Sequence, residues 1–452
     1  MIKYYDPMLF TSTPEHPETA GILTVLTEPV DGEILRHAVE SLRDRYPYFY
    51  IRAEVNRTDL VSVPNPLPMA VRNSLETVPL LSKEANYHWL AFRYSGNTFI
   101  LDFSHILADG SGIFPFFKSV LYCYLKEKTG ADLDPEGFRL PGQTLSALEA
   151  GDPFPELDLK SAKLFYTKKP VLNFYRVKKK LKDNDKKKRN FYLRLPEAPV
   201  MKLCGENDGS PNVLLAVLLA KSVWRMDPES RQPVTTAIAI NHKAILGNHE
   251  SWQTFSDTAI VDYPKKIAGW SLSKLCTITR GQIMLQVQPE NSASYIKNIK
   301  RAQEMLHPLP LPLKAELMKN VLNISRATAC VSYTNSRSFG PLDPYISQIY
   351  GLSDPDVFDI QIEVICVNHC FFLQFAQKFS SRDFYEAFLQ ELEEAGIPAE
   401  ETGEDCGILP GVRYDGIDAM KPVAESMRDG ITDAGNTAAK IFDEAMCLIK
   451  LK

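Results

Sequence analysis

Beginning at Asp31, the apolar residues Ile34, Leu35, Ala38, Val39 and Leu42 recur at helical spacing; Asp31 suits an N-cap and Pro47 marks an end, so this segment predicts a helix. Tyr48 to Val55 then reads as a strand. Tyr87 to Tyr94 and Asn97 to Phe103 are runs rich in aromatic and branched residues joined at Ser95-Gly96, which predicts a hairpin. Its second strand runs into Ser104-His105-Ile106-Leu107-Ala108-Asp109-Gly110. Beyond Gly112, the positions Ile113, Phe116, Phe117, Val120, Leu121 and Tyr124 describe an amphipathic helix. His105 is thereby put on a strand-to-helix connection, where scaffolds often hold reactive side chains.

The second half of the chain repeats this alternation in rough order, without a repeat in the letters themselves. Ser210 and Pro211 suit the N-cap and first position of a helix over Asn212 to Arg225, whose apolar run Val213 to Ala220 marks it as buried. Strands are expected over Val234 to Ile240, leading into Asn241-His242-Lys243, over Ala259 to Tyr263, and near 329 to 334. Helical patterns lie near 271 to 287 and 312 to 323. A closing hairpin pairs Asp359 to Val367 with Cys370 to Phe379 across Asn368-His369, and a last strong helix, capped by Ser380 or Ser381, carries Phe384, Phe388 and Leu392 on one face. A short helix could lie at Ala438 to Leu448.

Composition sets outer bounds. At 452 residues the chain exceeds one ordinary core, so two domains or a large pseudo-symmetric fold is expected. A net charge of −5 gives no global field for nucleic acid. Charge is instead local. From Lys163 to Arg189 there are twelve Lys or Arg against two Asp, and from Glu386 to Asp418 ten acids against Arg413. The basic stretch suits a solvated linker, and also the phosphates of a ligand, an acidic partner protein or an anionic membrane surface. Regularity is lost over 140 to 190 and returns at Phe191, so the division falls between about 178 and 195. The expected units are 1–185, 186–397 and an acidic appendage at 398–452. Eight cysteines, too sparse for a disulfide framework, fit reduced thiols in a cytoplasm. Met1 to Pro7 has no basic stretch followed by an apolar region, so no secretory leader is expected, and no window reaches the roughly 18 apolar residues of a membrane span.

His105 is the candidate for chemistry. An imidazole with an ordinary pKa of about 6.5 accepts a proton near neutral pH, and a positioned base contributes about 10²- to 10⁴-fold in rate. Gly110 and Gly112 allow a tight turn, and Asp109 could fix the loop through a buried ion pair. The same letters also fit a histidine that merely ends a strand. Cys366, His369 and Cys370 straddle a hairpin turn without a second pair, which does not make a metal site. No P-loop, dinucleotide glycine signature or His-Glu-x-x-His element occurs.

The segment resembles the superfamily built on the chloramphenicol acetyltransferase fold, which includes condensation domains of nonribosomal peptide synthetases, plant BAHD acyltransferases, wax ester synthases and bacterial alcohol acetyltransferases. Its motif, HHxxxDG or HxxxD, has its second His at His105, its Asp at Asp109 and its Gly at Gly110, with Ser104 in place of the first His. Ala237-Ile238-Ala239-Ile240-Asn241-His242-Lys243 looks like the family's strand ending in Asn-x-Arg, with Lys243 in the arginine position. Val331-Ser332-Tyr333-Thr334-Asn335, with Gly340 following, looks like a weaker segment that lines the active site. The resemblance covers residues 1 to about 397 and is nearest to the alcohol acetyltransferases.

What the resemblance implies is an α/β fold of two acyltransferase-like domains forming a pseudo-dimer around a central tunnel, and acyl transfer without an acyl-enzyme. His105 would deprotonate an alcohol acceptor as it attacks a thioester, usually of acyl-coenzyme A; that co-substrate is the only cofactor expected, with no metal. The role of Asp109 would be structural, pairing with a cation for which Lys243 is the candidate, although Lys243 also fits an exposed strand end. Ser256, Thr334 and Asn335 are oxyanion or substrate candidates by residue type, although each fits an ordinary strand or turn residue better. Alternatives are a free-standing condensation enzyme using a carrier-protein-bound donor, with an amine or alcohol acceptor, and an inactive scaffold of the same fold. A cytoplasmic monomer is expected.

Overall fold

The computed structural model describes residues 18–55, 60–154, 173–181, 187–309, 327–334, 338–355, 357–405 and 409–413. In chain order, the elements of the first half are β1 (Thr19–Leu26), α1 (Gly32–Ser41), β2 (Ile51–Val55), β3 (Leu60–Pro64), β4 (Ala70–Arg72), β5 (Leu90–Ser95), β6 (Thr98–Ser104) and α2 (Gly110–Thr129). The second half begins with β7 (Arg189–Pro196), α3 (Glu197–Glu206), α4 (Pro211–Met226), β8 (Val234–Asn241) and the one-turn α5 (His242–Ile245). It continues with β9 (Ser256–Tyr263), α6 (Leu272–Gln286), α7 (Pro289–Leu306), β10 (Ala329–Thr334), β11 (Ile346–Ser353), β12 (Ile360–Val367), β13 (Cys370–Gln377), α8 (Asp383–Glu394) and β14 (Glu400–Asp405). The helix expected over 312 to 323, the one at 438 to 448 and Asn335 lie outside the described residues.

Two sheets carry the fold. The first runs β11-β1-β6-β5-β4 and the second β14-β7-β13-β12-β10-β8-β9. The expected hairpins form as the pattern suggests. β5 and β6 turn at Gly96, whose φ of 55° suits glycine, and β12 and β13 turn at Asn368 and His369, both in the left-handed region. Asp31 caps α1 by accepting from Glu33 N and Ile34 N. The helix α4 is buried on nearly every side, from Val213 through Ala220, and packs between the second sheet and helices α6 and α8. Each such buried Leu or Val is worth about 1.5–3 kcal/mol relative to exposure.

Two features depart from the expected division. Strand β11 comes from the second half yet pairs antiparallel with β1, from Ala20 opposite Ser353 to Leu26 opposite Ile346, so the second half completes the first sheet. The residues from 398, expected as an appendage, begin with β14, paired to β7 as the edge of the second sheet. Its acids are what make it read as a tail. In the fold Glu400 meets Arg194, Glu401 meets Arg382, and Glu404 meets Arg189 and Arg382. The chain then returns to the first half, where Leu80 N donates to Gly411 O and Thr19 Oγ1 to Pro410 O.

The described part of the basic stretch is likewise bound to the second half. Arg176 chelates Asp359, Lys180 meets Asp227, Lys188 meets Asp354, and Arg189 meets Glu404. Four of its cations are therefore engaged as internal ties.

Candidate active site

Strand β6 ends at Ser104, and the chain turns through His105 into α2. The His105 N–H donates to Glu18 O at 2.8 Å, continuing the β1–β6 ladder by one step, and its carbonyl accepts from Thr254 Oγ1 at 2.8 Å. The imidazole lies beside the Phe103 ring, centroids 6.5 Å apart, and is half-buried. Its backbone is thus gripped from both halves while its ring keeps an open side.

Asp109 is the N-cap of α2, and four donors converge on its carboxylate. Oδ1 accepts from Gly112 N at 3.0 Å, from Ser111 Oγ at 2.6 Å and from Lys243 Nζ at 2.9 Å; Oδ2 accepts from Phe255 N at 3.1 Å. Asp109 and Lys243 are both buried, with 3% and 1% exposure. Burial pushes the Asp109 carboxyl up, but the Lys243 ammonium and the other donors outweigh it and hold the group below its ordinary value. Burial also draws the Lys243 ammonium down, opposed by Asp109. A buried pair tolerates its desolvation cost only when the remaining hydrogen-bonding capacity is met, and here the ammonium also donates to Gln253 O.

Lys243 reaches this point because Asn241 ends β8 by capping α5, its Oδ1 accepting from Lys243 N at 3.0 Å and Ala244 N at 3.4 Å. The chain then passes through 252–255, a segment that sequence reasoning missed. Trp252 to Phe255 runs along the His105–Gly112 loop. Ala108 forms an isolated bridge with Gln253, Thr254 holds the His105 carbonyl, and Phe255 N caps Asp109. Trp-Gln-Thr-Phe has no periodicity or motif that would have singled it out.

The two glycines differ from their expected role as a tight turn. Neither Gly110 nor Gly112 has positive φ. Gly112 is instead needed for close approach: a Cβ there would stand 2.0 Å from Trp252 O. A Cβ on Gly110 would make an ordinary contact at 3.5 Å with Thr334 Oγ1, which brings the β10 hydroxyl to the start of α2.

Of the remaining candidates, Ser256 stands opposite Asn241 at the start of β9, its carbonyl accepting from Tyr295; among the described residues no hydrogen bond joins its side chain to the His105 loop. Ser104 is fully buried and its hydroxyl has no hydrogen-bond partner among the described residues. Cys366 is buried among the helix-facing residues of the second sheet, Cys370 Sγ accepts from Arg194 Nε at 3.2 Å, and His369 meets Glu197 at the surface, so the three do not converge. Among the described residues no group of His, Cys, Asp and Glu could hold a metal ion, and no helix is long and apolar enough to cross a membrane.

No family model and no curated protein matches the chain. Solved structures do. TRI101 of F. sporotrichioides, crystallised with coenzyme A and T-2, is 11% identical over 88% of this chain and 99% of its own, with a TM-score of 0.52. The TRI3 trichothecene 15-O-acetyltransferase from Fusarium sporotrichioides is 10% identical over 86% of this chain and 92% of its own, TM-score 0.55. The starter condensation domain of the rhizomide synthetase RzmA, in complex with C8-CoA and Leu-SNAC, is 12% identical over 86% and 90%, TM-score 0.54. The chain shares the fold of these acetyltransferases and condensation domains, the α/β chloramphenicol acetyltransferase-like fold.

Proposed function

We propose that this chain, built on the condensation-type acyltransferase fold, transfers an acyl group from an acyl-coenzyme A thioester to the hydroxyl of a small acceptor, with His105 as general base. The acceptor oxygen attacks the thioester carbonyl carbon as its proton passes to the imidazole. The tetrahedral intermediate collapses, the carbon–sulfur bond breaks, and the proton returns to the departing thiolate, leaving an ester and free coenzyme A. Asp109 takes no proton in this scheme. With Lys243 it clamps the His105 loop to the opposite half, which is the kind of pre-organisation that makes a positioned base effective. Thr334 of β10, whose hydroxyl lies beside the first turn of α2, is the candidate donor to the developing oxyanion, a role often worth about 3–4 kcal/mol.

The observation that carries the reading is the double grip on the loop: the Thr254 bond to the His105 carbonyl and the buried Asp109–Lys243 pair both cross from one half to the other. Support for the donor comes from the coenzyme A held by TRI101 and the C8-CoA held by RzmA, and for a hydroxyl acceptor from the O-acetyltransferase TRI3. The condensation-domain likeness favours one competing reading, a donor carried on an acyl carrier protein. Purified protein given acyl-coenzyme A and a panel of alcohols is expected to release free thiol, and His105→Ala to slow that release by about 10²- to 10⁴-fold. Undiminished release by His105→Ala would overturn the role of the histidine. Turnover of carrier-bound donors alone would replace coenzyme A with the carrier.

A further inference from the structure

On its face toward the first sheet, the second sheet presents a carboxylate, Glu363, that this mechanism leaves unused. Alternation along β12 puts Ile362, Val364 and Cys366 among the helix-facing residues, and Gln361 and Glu363 on the other face, toward the first sheet. Glu363 stands opposite Ser332 of β10. It accepts from Gln361 Nε2 at 2.8 Å. The six buried carboxylates among the described residues, Asp102, Asp109, Glu149, Asp227, Asp359 and Glu391, each have a Lys or Arg within salt-bridge distance. Glu363 has none among the described residues. Yet it sits deep in the protein, where burial pushes its carboxyl up, and the Gln361, Ser332 and Ser353 side chains and the His105 imidazole favour its charged form.

Two further facts give this carboxylate an outlook. Its own surface is only half-buried despite its depth, so it borders open space between the sheets. Packed directly against it, β11 carries a residue with no side chain: a Cβ on Gly351 would stand 3.2 Å from Glu363 Cβ and 3.8 Å from Oε2. The level along the sheet is also set. Thr334, whose hydroxyl meets the start of α2, pairs with Ile365, two residues along β12 from Glu363, a separation of about 7 Å.

We propose that Glu363 is a specificity residue for the acyl acceptor, accepting a hydrogen bond from a second donor group of that molecule, a hydroxyl or an ammonium, while His105 engages the reacting hydroxyl. The acceptor class is then a diol, polyol or amino alcohol, and a plain aliphatic alcohol is a poor substrate. This rests on the acyl-transfer reading, so its test has an arm that needs no turnover.

The test uses the full chain and three straight five-carbon acceptors: the plain alcohol, the terminal diol and the terminal amino alcohol. Wild-type protein is expected to prefer the diol or the amino alcohol over the plain alcohol by about tenfold or more in kcat/KM, the size of a hydrogen bond to a charged group. Glu363→Gln, which keeps the shape, is expected to lose most of that preference through acceptor KM, with acyl-coenzyme A KM unchanged. Preference for the diol identifies a neutral donor and preference for the amino alcohol a cationic one; both support the assignment. The same preference in Glu363→Gln, or a shift confined to acyl-coenzyme A KM, overturns it. If no thiol is released from any acyl-coenzyme A or carrier-bound donor, the acyl-transfer reading falls and calorimetric binding of the same three probes decides Glu363 alone. Tighter binding of a donor-bearing probe by wild type than by Glu363→Gln supports it, and equal binding overturns it. Should Glu363→Gln fail to fold, Gly351→Ala carries the test: its methyl crowds the carboxylate without changing charge and is expected to cut the preference, and an unchanged preference overturns the assignment.

Discussion

Two buried ion pairs flank the loop that carries His105, and they do different work. Arg93 and Asp102 are nine residues apart on the β5–β6 hairpin and meet twice, Nε to Oδ2 at 2.6 Å and Nη2 to Oδ1 at 3.0 Å. Their strands are already fixed by a backbone ladder from Leu90–Phe103 to Ser95–Thr98. Lys243 and Asp109 are 134 residues apart and meet once, at a loop whose backbone, among the described residues, pairs with the 252–255 segment only through the isolated Ala108–Gln253 bridge. The first pair adds to a structure that is otherwise determined. The second helps to determine one. Their titration differs in the same sense: burial dominates at Asp102 and pushes its carboxyl up despite Arg93, whereas the donors dominate at Asp109 and hold it down.

The sharpest way to break this comparison is to remove one cation from each pair. Lys243→Met and Arg93→Met should each cost about 3–5 kcal/mol in urea unfolding, because each leaves a buried carboxylate unpaired. Only Lys243→Met should also lower kcat, by about 10²-fold, since a displaced base loses its attack geometry. Pairing Lys243→Met with Asp109→Asn removes the stranded charge but keeps an N-cap, so stability should partly return while kcat stays low. Equal falls in kcat for the two single variants would erase the distinction between the pairs.

Acid provides a second axis. A carboxyl depressed in the folded state contributes stability that is present above its unfolded pKa of about 4 and is lost as pH falls through the lower folded value. Asp109 should therefore add to acid destabilisation below about pH 4, and Asp109→Asn should flatten that limb of the stability curve. Asp102 has the opposite sign: a raised carboxyl is penalised at neutral pH and relieved as pH falls toward its unfolded value. Asp102→Asn should leave the limb below pH 4 as steep as in wild type.

How far the letters anticipated this site follows from the range of the interactions involved. The β5–β6 hairpin, α1 and its Asp31 cap, the buried α4 and the Asn368-His369 turn are local, and periodicity with turn chemistry suffices for them. His105, Asp109 and Lys243 were singled out by a resemblance; spacing alone left each with a plainer reading. What could not be read was partnership at a distance. β1 is buried along its first four residues and alternates only from Ile22, and β11 has no neighbour in sequence to pair with, so neither announces that the second half completes the first sheet. Trp252 to Phe255 matters through its backbone, to which the letters give no signal. Glu363 and Gln361 are the two polar residues of an apolar strand, and only the fold shows that Glu363 lies on the face toward the first sheet, with no cation within salt-bridge distance among the described residues.

The two motif glycines sharpen the comparison at smaller energies. Gly112→Ala forces a methyl against Trp252 O and should cost about 1–3 kcal/mol, as overpacking of a close interface does, with kcat falling because the Trp252–Phe255 segment must shift. Gly110→Ala meets only an ordinary contact with Thr334 and lies in a helix, where alanine gains about 0.5–1 kcal/mol over glycine. It should melt at or above the wild-type temperature. A reversal of that order would mean that the turn, not the approach of the second half, is what requires glycine.

The smallest expected effect belongs to Ser104, which holds the position of the motif's first histidine. Its hydroxyl is buried and without a partner among the described residues, so it contributes no bond in the folded state and carries the cost of leaving water. Replacing an unsatisfied buried hydroxyl by hydrogen removes that cost, while the space left is about one atom. Ser104→Ala should therefore be neutral or stabilising by up to about 1 kcal/mol, with kcat and both KM values near wild type. A large loss of kcat in Ser104→Ala would show that this hydroxyl orients His105 during turnover, and would move the preorganisation of the base from the cross-half clamp to its immediate neighbour.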